Sequence, residues 1–205
     1  DALRAMRDAT AEEVARDADA PAGRPEAVAL ASPVVSLTLH PDGVATIGMH
    51  DREARNMFSP ALVDGLKEAF AQVAATPACR VVVLTGDDRY FATGGTVDTL
   101  LAIQEGQAQF TDEKVFQLPM DCPVPVIAAI QGHAIGGGWS FGMFSDVVLL
   151  AEESRYLSPY MGYGFTPGAG STLMFPAKIG LDLARETLLC AEEIAGVALK
   201  RRGVP

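Results

Sequence analysis

Two glycine clusters, each just behind a run of β-branched and apolar residues, constrain this chain more than any other feature. The first is Tyr90-Phe91-Ala92-Thr93-Gly94-Gly95-Thr96, after Val81-Val82-Val83-Leu84. The second is Gln131-Gly132-His133-Ala134-Ile135-Gly136-Gly137-Gly138, after Val126-Ile127-Ala128-Ala129. A strand that runs into glycines and opens a helix leaves backbone N–H groups free at the positive end of the helix dipole. Glycine also lets a ligand approach the backbone closely. Such a place suits an anion or a developing oxyanion. No Gly-Lys-Ser/Thr follows either cluster, so neither is a P-loop, and neither is a convincing dinucleotide fingerprint. Taken singly, each reads first as tight-turn or helix-packing glycine. Two of them, each behind a strand, point to a site.

The rest of the pattern supplies an α/β frame. Val34 to Leu39 and Val44 to Met49 alternate around Pro41-Asp42-Gly43, which predicts a hairpin. Ser59-Pro60 gives an N-cap and a first-turn proline. Leu62, Val63, Leu66, Phe70 and Val73 follow at helical spacing up to Thr76-Pro77. Val81 to Leu84 reads as a buried strand, Val126 to Ala129 as another, the segment after Gly136 as a helix, and Val147 to Leu150 as a further strand. Leu100 to Gln117 is a polar–apolar mixture readable as helix or mobile loop, and Leu181 to Cys190 is the clearest late helix. Strand–helix alternation of this kind means α/β. Before Val34, a short helix is expected over Leu3 to Ala18, and Ala20-Pro21-Ala22-Gly23-Arg24-Pro25 breaks regular structure. Residues 1–33 therefore read as linker or tail, and 34–205 as the domain.

Composition narrows the chemistry. Sixteen basic residues against 26 acidic ones leave a formal charge of −10. That argues against nonspecific binding to nucleic acid or to an anionic membrane, which needs a basic footprint. No apolar run reaches the ~18 residues of a membrane span. Cys79, Cys122 and Cys190 are odd in number and widely spaced, forming neither a disulfide framework nor a metal site. A reducing, cytoplasmic setting is expected. Because the first residue is Asp1, the chain reads as a fragment of something longer, or a trimmed form.

Three ordered blocks carry a resemblance. Phe91-Ala92-Thr93-Gly94-Gly95 resembles the first oxyanion segment of the crotonases, the enoyl-CoA hydratases and isomerases. Gln131 to Gly138, continuing to Ser145-Asp146-Val147-Val148, resembles the second, and Pro159 to Gly170 the third. Arg201-Arg202-Gly203-Val204-Pro205 looks like a late stretch of some members. The resemblance implies a spiral of strand–strand–helix turns, a C-terminal helical region truncated here, and homotrimers. It places the two oxyanion N–H donors on Gly95 and Gly137. It also puts Phe58 where the pantetheine arm passes, with ordinary packing the equal alternative, and Tyr163 reads either as a hydrogen-bond partner of the substrate or as a core tyrosine.

The departures point to the reaction. Hydratases carry two glutamates, at the positions held here by Ser140 and Tyr160. Hydration needs a carboxylate to activate water and an acid to protonate carbon, and a serine and a tyrosine suit that poorly. An oxyanion hole without those carboxylates still suits loss of CO2 from a carboxylated acyl thioester. The whole pattern, including Leu100 to Gly106, resembles the decarboxylating members of polyketide β-branching cassettes. These relatives carry a lysine after the first oxyanion loop. Between Gly95 and Lys114 this chain has none, and Gln104 and Gln107 occupy the stretch. Gln104 is therefore a substrate-pocket candidate. The resemblance implies a 3-methylglutaconyl-type substrate held on phosphopantetheine or CoA, with an acyl carrier protein or acyl-CoA as partner and neither metal nor redox cofactor. The alternatives are another enolate-forming crotonase, an isomerase or dehydratase, and a non-catalytic thioester-binding domain. His133 reads as a packed turn residue and Asp146 as the tie at a helix–strand junction.

Overall fold

The computed structural model describes residues 23–87, 89–109, 112 and 114–204. The helix expected over Leu3 to Ala18 lies outside the described residues. The expected hairpin forms, with β2 (Val35–Leu39) antiparallel to β3 (Val44–Met49). Its turn closes where Asp42 Oδ1 accepts the Val44 N–H and Gly43 takes φ +85°. The sheet begins earlier than composition indicates. β1 (Glu26–Val28), inside the stretch read as linker, pairs antiparallel with β2. The Ala31 N–H donates to Glu68 Oε2 at 2.8 Å and Ser32 Oγ to the Ala61 carbonyl at 2.7 Å, which fastens this stretch to the first helix. A three-residue strand carries no periodicity of its own, and its partner defines it.

Helix α1 (Pro60–Ala74) starts as the sequence dictates, with Ser59 Oγ accepting the Leu62 N–H and Pro60 in the first turn. Such a cap contributes about 1 kcal/mol. Leu62, Val63, Leu66, Phe70 and Val73 are all buried in the core with the sheet. β4 (Val81–Thr85) then joins parallel to β3.

From there the chain repeats one unit. β5 (Tyr90–Ala92) and α2 (Val97–Gln104) lead through a 3-10 turn at Val115–Gln117 to α3 (Leu118–Asp121). Among its described residues, the segment Leu100 to Gln117, open to helix or loop from sequence, is α-helical as far as Gln104 and ends in the 3-10 turn at Val115–Gln117. β6 (Val126–Ile130), β7 (His133–Ile135) and α4 (Gly137–Met143) form the next unit. β8 (Val147–Leu150) and β9 (Arg155–Leu157) follow, then a 3-10 turn at Met161–Tyr163, α5 (Ser171–Ile179) and α6 (Leu181–Cys190). β10 (Ile194–Ala195) and α7 (Gly196–Arg201) come last.

The first strand of each unit enters a six-stranded sheet of order β1-β2-β3-β4-β6-β8. The second enters a four-stranded sheet of order β10-β9-β7-β5. This is the expected spiral of strand, strand and helix. Helix α4 is buried from Gly138 to Met143, with Trp139 edge-on to Phe175 at 4.7 Å and beside Tyr156 at 5.3 Å. Each such side chain contributes about 1.5–3 kcal/mol by leaving water, so α4 is held by the core rather than by its glycine-rich sequence. Among the described residues, no helix is long and apolar enough to cross a membrane.

Candidate active site

The smaller sheet explains why distant blocks of sequence meet. β5, β7 and β9 are parallel neighbours in it, so their C-terminal ends face one side. The end of β5 hands over to Thr93-Gly94-Gly95, that of β7 to Gly136-Gly137-Gly138, and that of β9 to Ser158-Pro159-Tyr160. Carboxyl ends of parallel strands are where ligands bind in α/β sheets. The β5–β7 register shifts between Tyr90 and Ala92, and such an irregularity bends a strand end next to a site.

The glycines bring two backbones into contact. A methyl group on Gly94 would stand 2.9 Å from the Gly137 nitrogen, and one on Gly137 would stand 3.4 Å from Gly94 Cα. Gly94 also has φ +85°, and its carbonyl accepts the Phe58 N–H at 2.8 Å. A methyl group on Gly138 would lie 2.1 Å from the Ala92 carbonyl oxygen, so any side chain there would push α4 off β5. Among the described residues, neither the Gly95 N–H nor the Gly137 N–H has an acceptor. Both glycines line one cavity of about 750 Å³, within the size range of small-molecule sites.

Aromatic rings form much of the cavity wall. Phe58 and Phe116 line it, with Phe58 edge-on to Phe116 and to Phe141, 5.7 Å away in each case. The charged lining residues are acidic, namely Asp64, Asp98 and Asp112, and no Lys, Arg or His is among the described lining residues. Tyr160 lines the cavity while being 5% exposed. Its hydroxyl lies 3.2 Å from Ser140 Oγ, which donates to the Gly136 carbonyl at 3.2 Å. Burial pushes the Tyr160 hydroxyl up, and hydrogen bonds with Ser140 and Ser171 pull it back.

The candidates from sequence divide. Gly95, Gly137, Phe58, Tyr160 and Tyr163 line the cavity together, with Tyr163 68% exposed at its mouth. Ser140 is fully buried behind Tyr160 and acts on the cavity through it. Gln104 does not line the cavity but is exposed at the end of α2, and Lys114 is likewise exposed and outside the wall. His133 is packed as expected, its Nδ1 accepting the Arg155 N–H at 3.1 Å and its ring meeting Tyr90 at 5.4 Å. Asp146 Oδ2 accepts the Val126 N–H at 2.8 Å, as a junction residue should.

One residue escaped sequence reasoning. Asn56 is fully buried with φ +52°. Its Nδ2 donates to the carbonyls of Met49, Tyr90 and Phe91 at 3.2, 3.0 and 3.0 Å, and its Oδ1 accepts the Asp51 N–H at 2.7 Å. It clamps β5, the strand that presents Gly95, to the end of β3. Its only signal in sequence is an asparagine in the polar connection ahead of α1.

The family model for enoyl-CoA hydratase/isomerase matches residues 40–205. The chain is 47% identical over 172 residues to the bacillaene synthase decarboxylase PksI of Bacillus subtilis (strain 168), covering 84% of this chain and 69% of that one. It is 30% identical over 164 residues to a mitochondrial enoyl-CoA hydratase of Pongo abelii, covering 78% of this chain and 56% of that protein. A solved structure from a dehydratase/decarboxylase enzyme couple involved in polyketide β-branching superposes with a TM-score of 0.85 at 44% identity, covering 89% of this chain and 72% of the other. The ECH2 decarboxylase domain of CurF from Lyngbya majuscula superposes with a TM-score of 0.79 at 40% identity, covering 84% and 70%.

Proposed function

The chain belongs to the enoyl-CoA hydratase/isomerase family, and we propose that within it this protein is a decarboxylase of polyketide β-branching, acting on a 3-methylglutaconyl-type acyl thioester. The observation that carries the reading is the pair of acceptor-free N–H groups at Gly95 and Gly137, set in a cavity lined by Tyr160 with Ser140 behind it, two hydroxyls at the positions where the family resemblance puts the carboxylates of hydratases. The likeness to decarboxylases of β-branching supports the same reaction.

In the proposed step the thioester oxygen accepts from both N–H groups. The bond to the carboxylate carbon breaks, CO2 leaves, and its electron pair enters the conjugated system as a dienolate with charge on that oxygen. Those two donors are aimed at charge that grows only as CO2 departs, so they lower the barrier rather than tighten ground-state binding. One such donor contributes about 3–4 kcal/mol. The described wall offers the leaving carboxylate no cation to hold it back. The acyl group arrives on the phosphopantetheine of a carrier protein or on CoA, and the working unit is a homotrimer.

Mass spectrometry of 3-methylglutaconyl thioester, loaded on carrier protein and on CoA, tests the proposal with the full-length protein. Loss of CO2 with conversion to the 3-methylcrotonyl thioester is expected. An unchanged substrate mass with correctly folded protein would leave a thioester-binding domain instead.

A further inference from the structure

The dienolate left by CO2 needs a proton on carbon before product can leave, and building on the decarboxylase reading above, we propose that Tyr160 delivers it and that Ser140 and Ser171 hold the tyrosinate that results. Tyr160 stands in the cavity wall with Gly137, and nine-tenths or more of its surface is buried. Ser140, on α4, contacts its hydroxyl from one side. Ser171, at the start of α5, hydrogen-bonds to it as well. Both serines are fully buried.

The two serines are matched in a way that packing alone does not require. Ser140 Oγ donates to the Gly136 carbonyl, which also accepts the Ser140 N–H at 3.0 Å. Ser171 Oγ donates to the Gly168 carbonyl, which also accepts the Ser171 N–H at 3.0 Å. Each hydroxyl can therefore turn towards Tyr160 and leave behind a carbonyl that keeps a donor. That matters because a buried polar group stripped of every partner is costly, whereas a partner exchanged is not. With both serines turned, the Tyr160 oxygen accepts two hydrogen bonds and its own proton is free to face the cavity.

The chemistry balances. The dienolate supplies the electron pair of the new C–H bond, the Tyr160 O–H bond breaks, and the oxygen keeps that pair as tyrosinate. Two charge-assisted hydrogen bonds from the serines stabilise it. Water entering as product leaves restores the proton. Burial keeps the hydroxyl protonated at neutral pH, and a tyrosine is still acidic enough to protonate an enolate carbon. Ser140 and Ser171 are positioning residues, and only Tyr160 touches the reacting atoms.

Tyr160→Phe in the full-length protein tests this, because it keeps the ring and removes only the oxygen. Turnover of the 3-methylglutaconyl thioester should fall about 100-fold, the usual scale of a lost general acid, while KM moves less than threefold. Residual product should be split between the conjugated and deconjugated isomers, where the parent makes one. A second arm does not depend on decarboxylation. The parent should wash deuterium from D2O into the γ-carbon of 3-methylcrotonyl thioester, and Tyr160→Phe should not. Wash-in without CO2 loss by the parent would keep Tyr160 in this role and remove the decarboxylase reading. A variant that yields a single isomer, at whatever rate, or that washes in deuterium as fast as the parent, overturns the assignment to Tyr160.

Discussion

Asn56→Ala should be the most damaging conservative change outside the cavity. The side chain makes four hydrogen bonds, three from Nδ2 and one at Oδ1. The Tyr90 carbonyl keeps another donor, since it also accepts the Asp87 N–H at 3.1 Å. The carbonyls of Met49 and Phe91 and the Asp51 N–H lose a partner. At about 1 kcal/mol each for partly compensated groups, that is about 3 kcal/mol. A further 1 kcal/mol or so comes from placing alanine at φ +52°. The total, about 4 kcal/mol, corresponds to a fall in Tm of about 10 °C for a domain of this size. Guanidinium unfolding of the full-length variant, followed by circular dichroism, measures it. Activity should fall in the folded fraction too, because β5 presents Gly95. A loss of stability below 1 kcal/mol would refute the clamp.

The full-length protein should hydrate crotonyl-CoA negligibly, because Ser140 and Tyr160 offer no carboxylate to activate water; robust hydration in a spectrophotometric assay would contradict that. Stability should fall above about pH 10. Burial raises both Tyr156 and Tyr160, so the unfolded chain ionises first; the stabilisation is whole below the unfolded value and is lost as pH rises towards the folded one. Comparing guanidinium midpoints at pH 8 and pH 10.5 checks the sign, and an equal or higher midpoint at pH 10.5 contradicts it.

Much of the fold and the heart of the candidate site were legible because they rest on local signals. The hairpin, α1 and the buried strands each carry their own period and caps, and the glycine blocks mark where strands end at the cavity. What was not legible depends on partners far away in sequence. β1 is a strand only because β2 offers an edge, and Asn56 matters only because three carbonyls converge on it. Its place in a matched segment points Gln104 to the pocket, but α2 ends there and leaves it exposed. Ser140 and Tyr160 stand out in sequence by what they replace, whereas their contact with each other comes from the fold.

Gly137→Pro tests the account most directly. Gly137 is the first residue of α4, a position where proline suits a helix because its missing N–H has no helical partner anyway. The methyl position there meets Gly94, Phe116 and Phe58 at 3.4–3.5 Å, which is ordinary contact. The substitution removes that hydrogen-bond donor and puts the ring Cδ where its hydrogen stood. With circular dichroism matching the parent, kcat for CO2 release should drop about 100- to 1,000-fold. A folded variant that releases CO2 within threefold of the parent rate would contradict an oxyanion role for that N–H and, with it, the mechanism.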